Sequence, residues 1–224
     1  MTEKERLNKF VADLPNVNIS RNTKIEDLEK LENGVYSINQ CLPITLIKQL
    51  PYFNESLGEV GLILVDGNWL LIISNYSGIG LPFLLYKYLT NGAVQFCAHS
   101  HPYTGKFENT SIPSITDLFS KDIEGYTYII SKEGFSEINV SSLSLKTLEF
   151  LQEKEQLFNG RIDPNAYLMF MKELYDNVGL KYRIIDYGDQ NSIYDIIHRK
   201  EKVKTNYWLE DIDKHATQFP GPKK

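Results

Sequence analysis

Residues 59–74, EVGLILVDGNWLLIIS, contain two apolar runs rich in the β-branched and aromatic residues that strands favour. Asp66-Gly67 separates the runs and predicts the tight turn of a β-hairpin, because both residue types tolerate positive φ angles. YTYIIS and FSEIN, on either side of KEG (132–134), predict a second hairpin. Between the hairpins, AVQFCAH (93–99) predicts a buried strand.

Helical patterns alternate with these strands. They cover residues 44–50, 80–92 and 114–122. The order helix, hairpin, helix, strand, helix and hairpin predicts a mixed α/β domain over residues 35–142, with helices on both sides of a mixed sheet. His99 and His101 then lie at the carboxyl end of a central strand, where open α/β sheets usually bind ligands.

The two flanking segments differ from this domain. Residues 1–34 are polar and charged, with one short helix predicted to begin at Thr23 and end near Asn33. Residues 143–224 predict a C-terminal α/β extension whose elements are two helices, a strand and a final helix. This extension is either packed on the first domain or a partner-binding module.

The composition excludes several kinds of partner. Hydrophobic residues make up 42% of the 224 residues, which is enough to bury a core. A net charge of −5, with basic residues scattered among acidic ones, offers no basic face for nucleic acid. No apolar run approaches a membrane span and the start of the chain resembles no signal peptide, so we expect a cytoplasmic protein. Cys41 and Cys97 form no disulfide framework and are interpreted as small buried apolar residues.

The histidine pair has the spacing of a metal site. Alternate residues of a strand share a face, so His99 and His101 direct their rings toward one point and Ser100 points away. A catalytic zinc takes three protein ligands and keeps a fourth position for water, and Asp117, early in a predicted helix, can supply the third ligand. Glu59, at the head of the first hairpin, can accept the proton of that water.

Each of these residues also has a simpler interpretation. A His-x-His pair at a strand end is often two hydrogen-bonded surface histidines. Ser114 and Asp117 fit a capping box, in which Ser114 caps a helix and Asp117 reaches back to the amides before it. Glu59 is also an ordinary charged residue beside a strand, and Glu55 competes with it for the role of base.

Together, the segments EVGLILV, HSHP and PSITD resemble the JAMM motif of the MPN, or JAB-domain, zinc metalloproteases. The resemblance implies a JAB/MPN-like fold related to cytidine deaminases over roughly residues 40–140. It implies Zn2+ with the ligands His99, His101 and Asp117. It also implies Glu59 as the general base and Ser114 as a residue that stabilises the oxyanion.

The resemblance further implies the class of substrate. Members of this family cleave peptide or isopeptide bonds, many of them at ubiquitin or ubiquitin-like tails, so the expected partner is a protein or peptide substrate. Members that have lost ligands serve as scaffolds, and the alternative function is therefore a catalytically silent JAMM-like scaffold that binds a protein. The intact ligand set favours activity. The sequence leaves the substrate and the oligomeric state open.

The connection between the histidine pair and Ser114 departs from the family pattern. It holds twelve residues, Pro102 to Pro113, which is longer than usual. Doubling the length of a surface loop, however, raises the free-energy cost of closing it by only about 0.6 kcal/mol. The role of residues 103–111 stays open. Other zinc classes fit worse, because the chain contains neither a Pro-Cys-x-x-Cys segment nor HExxH and is too short for an amidohydrolase barrel.

Overall fold

The computed structural model describes residues 2–53, 59–74, 94–101, 111–119, 126–141, 143–158 and 164–198. Within these ranges the chain is mixed α/β, with one eight-stranded sheet flanked by helices. The strands are β1 (Asn16–Val17), β2 (Gly34–Ile38), β3 (Val60–Val65), β4 (Asn68–Ile73), β5 (Val94–Ser100), β6 (Tyr126–Ser131), β7 (Gly134–Asn139) and β8 (Lys181–Ile185). The helices are α1 (Glu3–Asp13), α2 (Ile25–Leu28), α3 (Ile44–Ile47), α4 (Ile115–Phe119), α5 (Leu145–Phe158), α6 (Pro164–Asn177) and α7 (Gln190–Ile197).

The sheet is mixed, and its strand order is β1-β2-β4-β3-β5-β6-β7-β8. The pairs β1–β2 and β5–β6 are parallel, whereas the other neighbours are antiparallel. β5 lies between β3 and β6, in the interior of the sheet. The predicted position of His99 and His101, at the carboxyl end of a central strand, is therefore confirmed.

Both predicted hairpins are present. β3 and β4 pair from Val60↔Ile73 to Val65↔Asn68 and are joined at Asp66 and Gly67, whose φ angles of 44° and 80° are both positive, as a two-residue hairpin turn requires. β6 and β7 form the second hairpin. The first hairpin places the start of β3 beside the end of β5, because β3 also pairs with β5.

Helices cover both faces of the sheet around β6 and β7. Ile129 and Ile138 belong to an apolar cluster, here called the second core, that includes side chains of α4, α5 and α6. Tyr128 and Ile130 point to the opposite face and join the larger first core, which contains residues of α7. The other members of the second core are Ile115, Leu118, Val140, Leu143, Leu148, Leu151, Met171, Leu174, Tyr175 and Leu180.

The N-terminal part of the fold differs from the prediction. A helix that the sequence analysis did not predict, α1, begins with a capping box in which the Thr2 side chain accepts from the Glu5 amide and Glu5 accepts from the Thr2 amide. The helix predicted from Thr23 is shorter than expected, since the Leu31 amide bonds to the Leu28 carbonyl in a turn toward β2.

The helix predicted over residues 44–50 is divided into α3 and a 3-10 helix, Leu50–Tyr52. Pro51 explains the division, because it lacks the amide hydrogen that a continuing α-helix would need. The predicted helix over residues 80–92 lies outside the described residues.

The elements predicted after residue 142 appear as α5, α6, β8 and α7. β8 pairs with β7 and β1 pairs with β2, so strands from all three predicted segments join one sheet. The division into domains 1–34, 35–142 and 143–224 stays a prediction.

The two cysteines are free thiols and are partly rather than fully buried. Burial raises the pKa of the Cys41 thiol to about 12, so this thiol is unreactive at neutral pH. Among the described residues, no helix is long and apolar enough to cross a membrane.

Candidate metal centre

The two imidazoles converge at the end of β5. The Nε2 atoms of His99 and His101 lie 3.3 Å apart, and the ring centroids are 5.2 Å apart. Ser100, between them, points to the opposite face and is buried. The His99 and His101 side chains keep only 13% and 15% of their surface exposed, so the interpretation as surface histidines does not fit.

Asp117 reaches the histidine pair from the first turn of α4. Its Oδ1 lies 3.0 Å from His99 Nε2, and its Oδ2 lies 3.3 Å from His101 Nε2. The three side chains form the one group of metal-ligating residues found in the part of the chain that the structure describes, with the ligand atoms within 4.8 Å of one another. The predicted ligand set is therefore brought together.

The capping box predicted as the simpler interpretation of Ser114 and Asp117 is also present. The Ser114 amide donates to Asp117 Oδ2 at 2.6 Å, and the Asp117 amide donates to Ser114 Oγ at 3.3 Å. The two interpretations are compatible, because the same carboxylate caps the helix and faces both imidazoles. Capping fixes the Asp117 side chain at the position from which it meets the histidines.

The electrostatic environment keeps Asp117 ionised. Burial raises the pKa of its carboxyl group, but the charges of the two histidines and the hydrogen bonds with them outweigh burial. The net result is a pKa well below the ordinary value of an aspartate. At neutral pH the group is a carboxylate, which is the form that binds a metal ion.

The two imidazoles and the carboxylate lie at distances close to those in a tetrahedral zinc site. With zinc bonds of about 2.0–2.1 Å to nitrogen and oxygen, two corners of the tetrahedron lie roughly 3.3–3.4 Å apart. The two nitrogens are 3.3 Å apart, and each faces a different carboxylate oxygen, Oδ1 at 3.0 Å from His99 Nε2 and Oδ2 at 3.3 Å from His101 Nε2. One ligand atom from each residue lies within 4.8 Å of the others. Two imidazoles and a carboxylate are also ligand types that zinc prefers, so these residues fit the ion.

No protein-family model, curated protein or solved structure matches the chain.

Glu59 lies immediately before β3, close to the end of β5. β3 and β5 are antiparallel and their pairing begins at Gly61↔His99. If the same register continued for two more residues, Glu59 would face His101 from the same side of the sheet. Ser100 holds this strand end, because its Oγ accepts the amide hydrogen of Val60 at 2.9 Å. The Glu59 backbone is held on its other side by the Ser74 amide, which donates to its carbonyl at 3.2 Å.

The remaining predictions about the site have different outcomes. Ser114 lies beside Asp117 in the capping box, and its role toward an oxyanion stays a prediction. Glu55 and residues 103–110 lie outside the described residues. Ser111, at the end of that connection, is buried and bonds through its amide to Glu133 Oε2 at 3.0 Å and also through its hydroxyl.

Two residues that contact the backbone around this group, Ser100 and Tyr175, were not predicted from the sequence. From the sequence, Ser100 was interpreted only as the residue that points away from the histidines. Its alternation with them also indicated that its hydroxyl lies on the opposite face of the sheet, where it accepts the Val60 amide hydrogen. Tyr175 had no local signal, since its hydroxyl bonds to the carbonyl of Pro113, 62 residues earlier in the chain.

Proposed function

We propose that this protein is a zinc-dependent peptidase or isopeptidase with a JAB/MPN-like domain of the JAMM type. The observation that carries the proposal is the convergence of His99, His101 and Asp117, with one ligand atom of each within 4.8 Å of the others. Three protein ligands leave the fourth position for water, as in catalytic rather than structural zinc sites. The location of the group at the carboxyl end of β5 supports a ligand site.

The metal, when bound, would lower the pKa of its water toward neutrality and polarise the carbonyl of the substrate. His99, His101 and Asp117 would hold the ion. Glu59, two residues before the Gly61 that pairs with His99, would accept the proton of the water and return it to the leaving amine.

Ser114 would act on the oxygen of the attacked carbonyl. Its Oγ accepts the Asp117 amide hydrogen through a lone pair, and that bond does not use its own O–H hydrogen. The hydroxyl therefore retains a hydrogen that it can donate to an oxyanion.

The substrate class comes from the family resemblance. A protein or peptide tail, including a ubiquitin-like tail, is the proposed substrate. The alternative, a silent scaffold, is less favoured, because the ligand set His99, His101 and Asp117 is intact.

Metal analysis of the wild-type protein is the first test. Purified without chelator, it should contain about one zinc ion per chain, because three suitable ligands are already positioned. Elemental analysis measures this ratio. Hydrolysis of peptides and isopeptide-linked ubiquitin-like tails should stop on chelation and return with added zinc.

Wild-type protein that binds no zinc, even after zinc is supplied, would rule out the proposal. Protein that binds zinc stoichiometrically but cleaves no substrate in such a panel would favour the scaffold function.

Ser100→Ala tests how Glu59 is held. The substitution removes the acceptor of the Val60 amide hydrogen, so the start of β3 should lose its fixed position while the three metal ligands remain. We expect unchanged zinc content and a decrease in kcat/KM of roughly 10- to 100-fold, the usual effect of losing a supporting contact around a metal site. Steady-state kinetics measure it, and Ser100→Thr, which keeps the hydroxyl, should restore most of the rate.

Ser136→Ala is the matched control for Ser100→Ala. Ser136 is also a buried strand serine, but within the described part of the chain its Oγ has no hydrogen-bond partner. Its removal should leave kcat/KM unchanged. Equal kinetics for Ser100→Ala and the wild type would contradict the role of Ser100.

A further inference from the structure

Tyr175 of α6 makes a buried hydrogen bond to the segment that carries Asp117. Its side chain is fully buried, and its hydroxyl donates to the carbonyl of Pro113 at 2.7 Å. Pro113 directly precedes Ser114, the capping residue of α4. The bond therefore connects a C-terminal helix to the backbone that presents the third proposed zinc ligand.

α4 depends on such outside contacts. It has only five residues, and an isolated helix of that length is not stable in water. Its side chains Ile115 and Leu118 are buried in the second core with residues of α5 and α6, including Leu174 next to Tyr175. The position of Asp117 is thus set by contacts with the C-terminal helices as well as by its own capping box.

The Tyr175 hydroxyl is a permanent donor. Burial raises its pKa far above the ordinary tyrosine value, and the nearby Tyr167, Asp117 and Glu155 raise it further. The group stays protonated over the whole range in which a zinc site works. The Pro113 carbonyl consequently always has its partner.

We propose that Tyr175 is a positioning residue of the metal centre, and that α5 and α6 belong to the site rather than to a separate partner-binding module. The inference rests on the proposed zinc site and concerns metal affinity, not the identity of the substrate. Without the bond to Pro113, the turn before α4 loses its anchor and Asp117 loses its fixed distance from His99 and His101.

Tyr175→Phe tests the proposal through zinc affinity. The substitution keeps the ring in the second core and removes only the hydroxyl. We expect the dissociation constant for zinc, measured by competition with a chelating indicator, to rise by about 10- to 100-fold, as for other residues that support metal ligands indirectly. The apo variant should keep the wild-type circular dichroism spectrum.

Tyr187→Phe provides a control for a loss of stability alone. The Tyr187 hydroxyl also donates to distant backbone carbonyls, those of Ser131 at 2.8 Å and Gly134 at 3.2 Å, in part-buried bonds that involve no residue of 111–119. This variant should lose a tyrosine hydrogen bond to the backbone and keep the wild-type zinc affinity. A purely structural role of Tyr175 would give both variants the same affinity and would overturn the proposal.

Hydrogen exchange of the wild-type protein gives a second measurement that needs no variant. If α6 positions Asp117, zinc binding should slow amide exchange in α6 around Tyr175, while α7, which packs in the first core, should exchange at an unchanged rate. Protection limited to residues 94–101 and 111–119 would overturn the inference and leave the zinc site intact. A wild-type protein without zinc affinity would overturn the site itself.

Discussion

Asp117→Asn should lose zinc while the protein stays folded. Asparagine has the same size and its oxygen can still accept the Ser114 amide hydrogen, so the capping box should persist. The neutral amide is a much weaker zinc ligand than a carboxylate, and two histidines alone do not complete the site. Elemental analysis after dialysis should therefore find almost no zinc, and His101→Ala should give the same result.

Asp189→Asn is the matched control for this experiment. Asp189 is the capping residue of α7 and accepts the Ser192 amide hydrogen, so the substitution makes the same chemical change at the start of a helix that packs in the first core. It should retain full zinc content. Stoichiometric zinc in Asp117→Asn or in His101→Ala would reject that residue as a ligand.

Glu59→Gln should retain its zinc and lose hydrolysis. Glutamine has nearly the same size, and the backbone bonds of the Glu59 carbonyl and the Val60 amide are kept. The substitution removes the carboxylate that would accept the proton. Rates should fall by about 100- to 10,000-fold, the range typical of lost acid-base catalysis, with KM little changed.

Glu55→Gln is the comparison that fixes the identity of the base. A register continued from Gly61↔His99 would set Glu59 on the face of His101, so Glu55→Gln should retain activity. An active Glu59→Gln together with an inactive Glu55→Gln would mean that the base was assigned to the wrong glutamate.

The parts of the fold that were predicted correctly depend on local patterns. Asp66-Gly67 between apolar runs predicted a hairpin, and the alternation of His99 and His101 predicted that their rings converge. The capping pattern of Ser114 and Asp117 was also local. A local signal for α1 existed as well, since Thr2 and Glu5 have capping-box spacing, but the polar composition of this segment concealed it.

The parts that could not be predicted depend on long-range pairing. β1 and β8 join the sheet by pairing with strands that are distant in the sequence, and no pattern in the adjacent residues indicates this pairing. The bond from Tyr175 to Pro113 spans 62 positions, and no periodicity connects them. Assigning Glu59 to the face of His101 required the register of β3 against β5, because a shift of one residue would have turned it to the other face.

The anchoring of residues 101 and 111 has a consequence for protein evolution and engineering. The His101 amide donates to the Ile130 carbonyl at 2.9 Å, and Ser111 is bonded to Glu133, so both ends of the connection 102–110 are attached to the β6–β7 hairpin. Because doubling the length of a connection costs only about 0.6 kcal/mol of loop-closure free energy, we expect insertions or deletions between these anchors to leave His99, His101 and Asp117 in place. A peptide tag grafted between the two anchors should likewise preserve the arrangement of these three side chains.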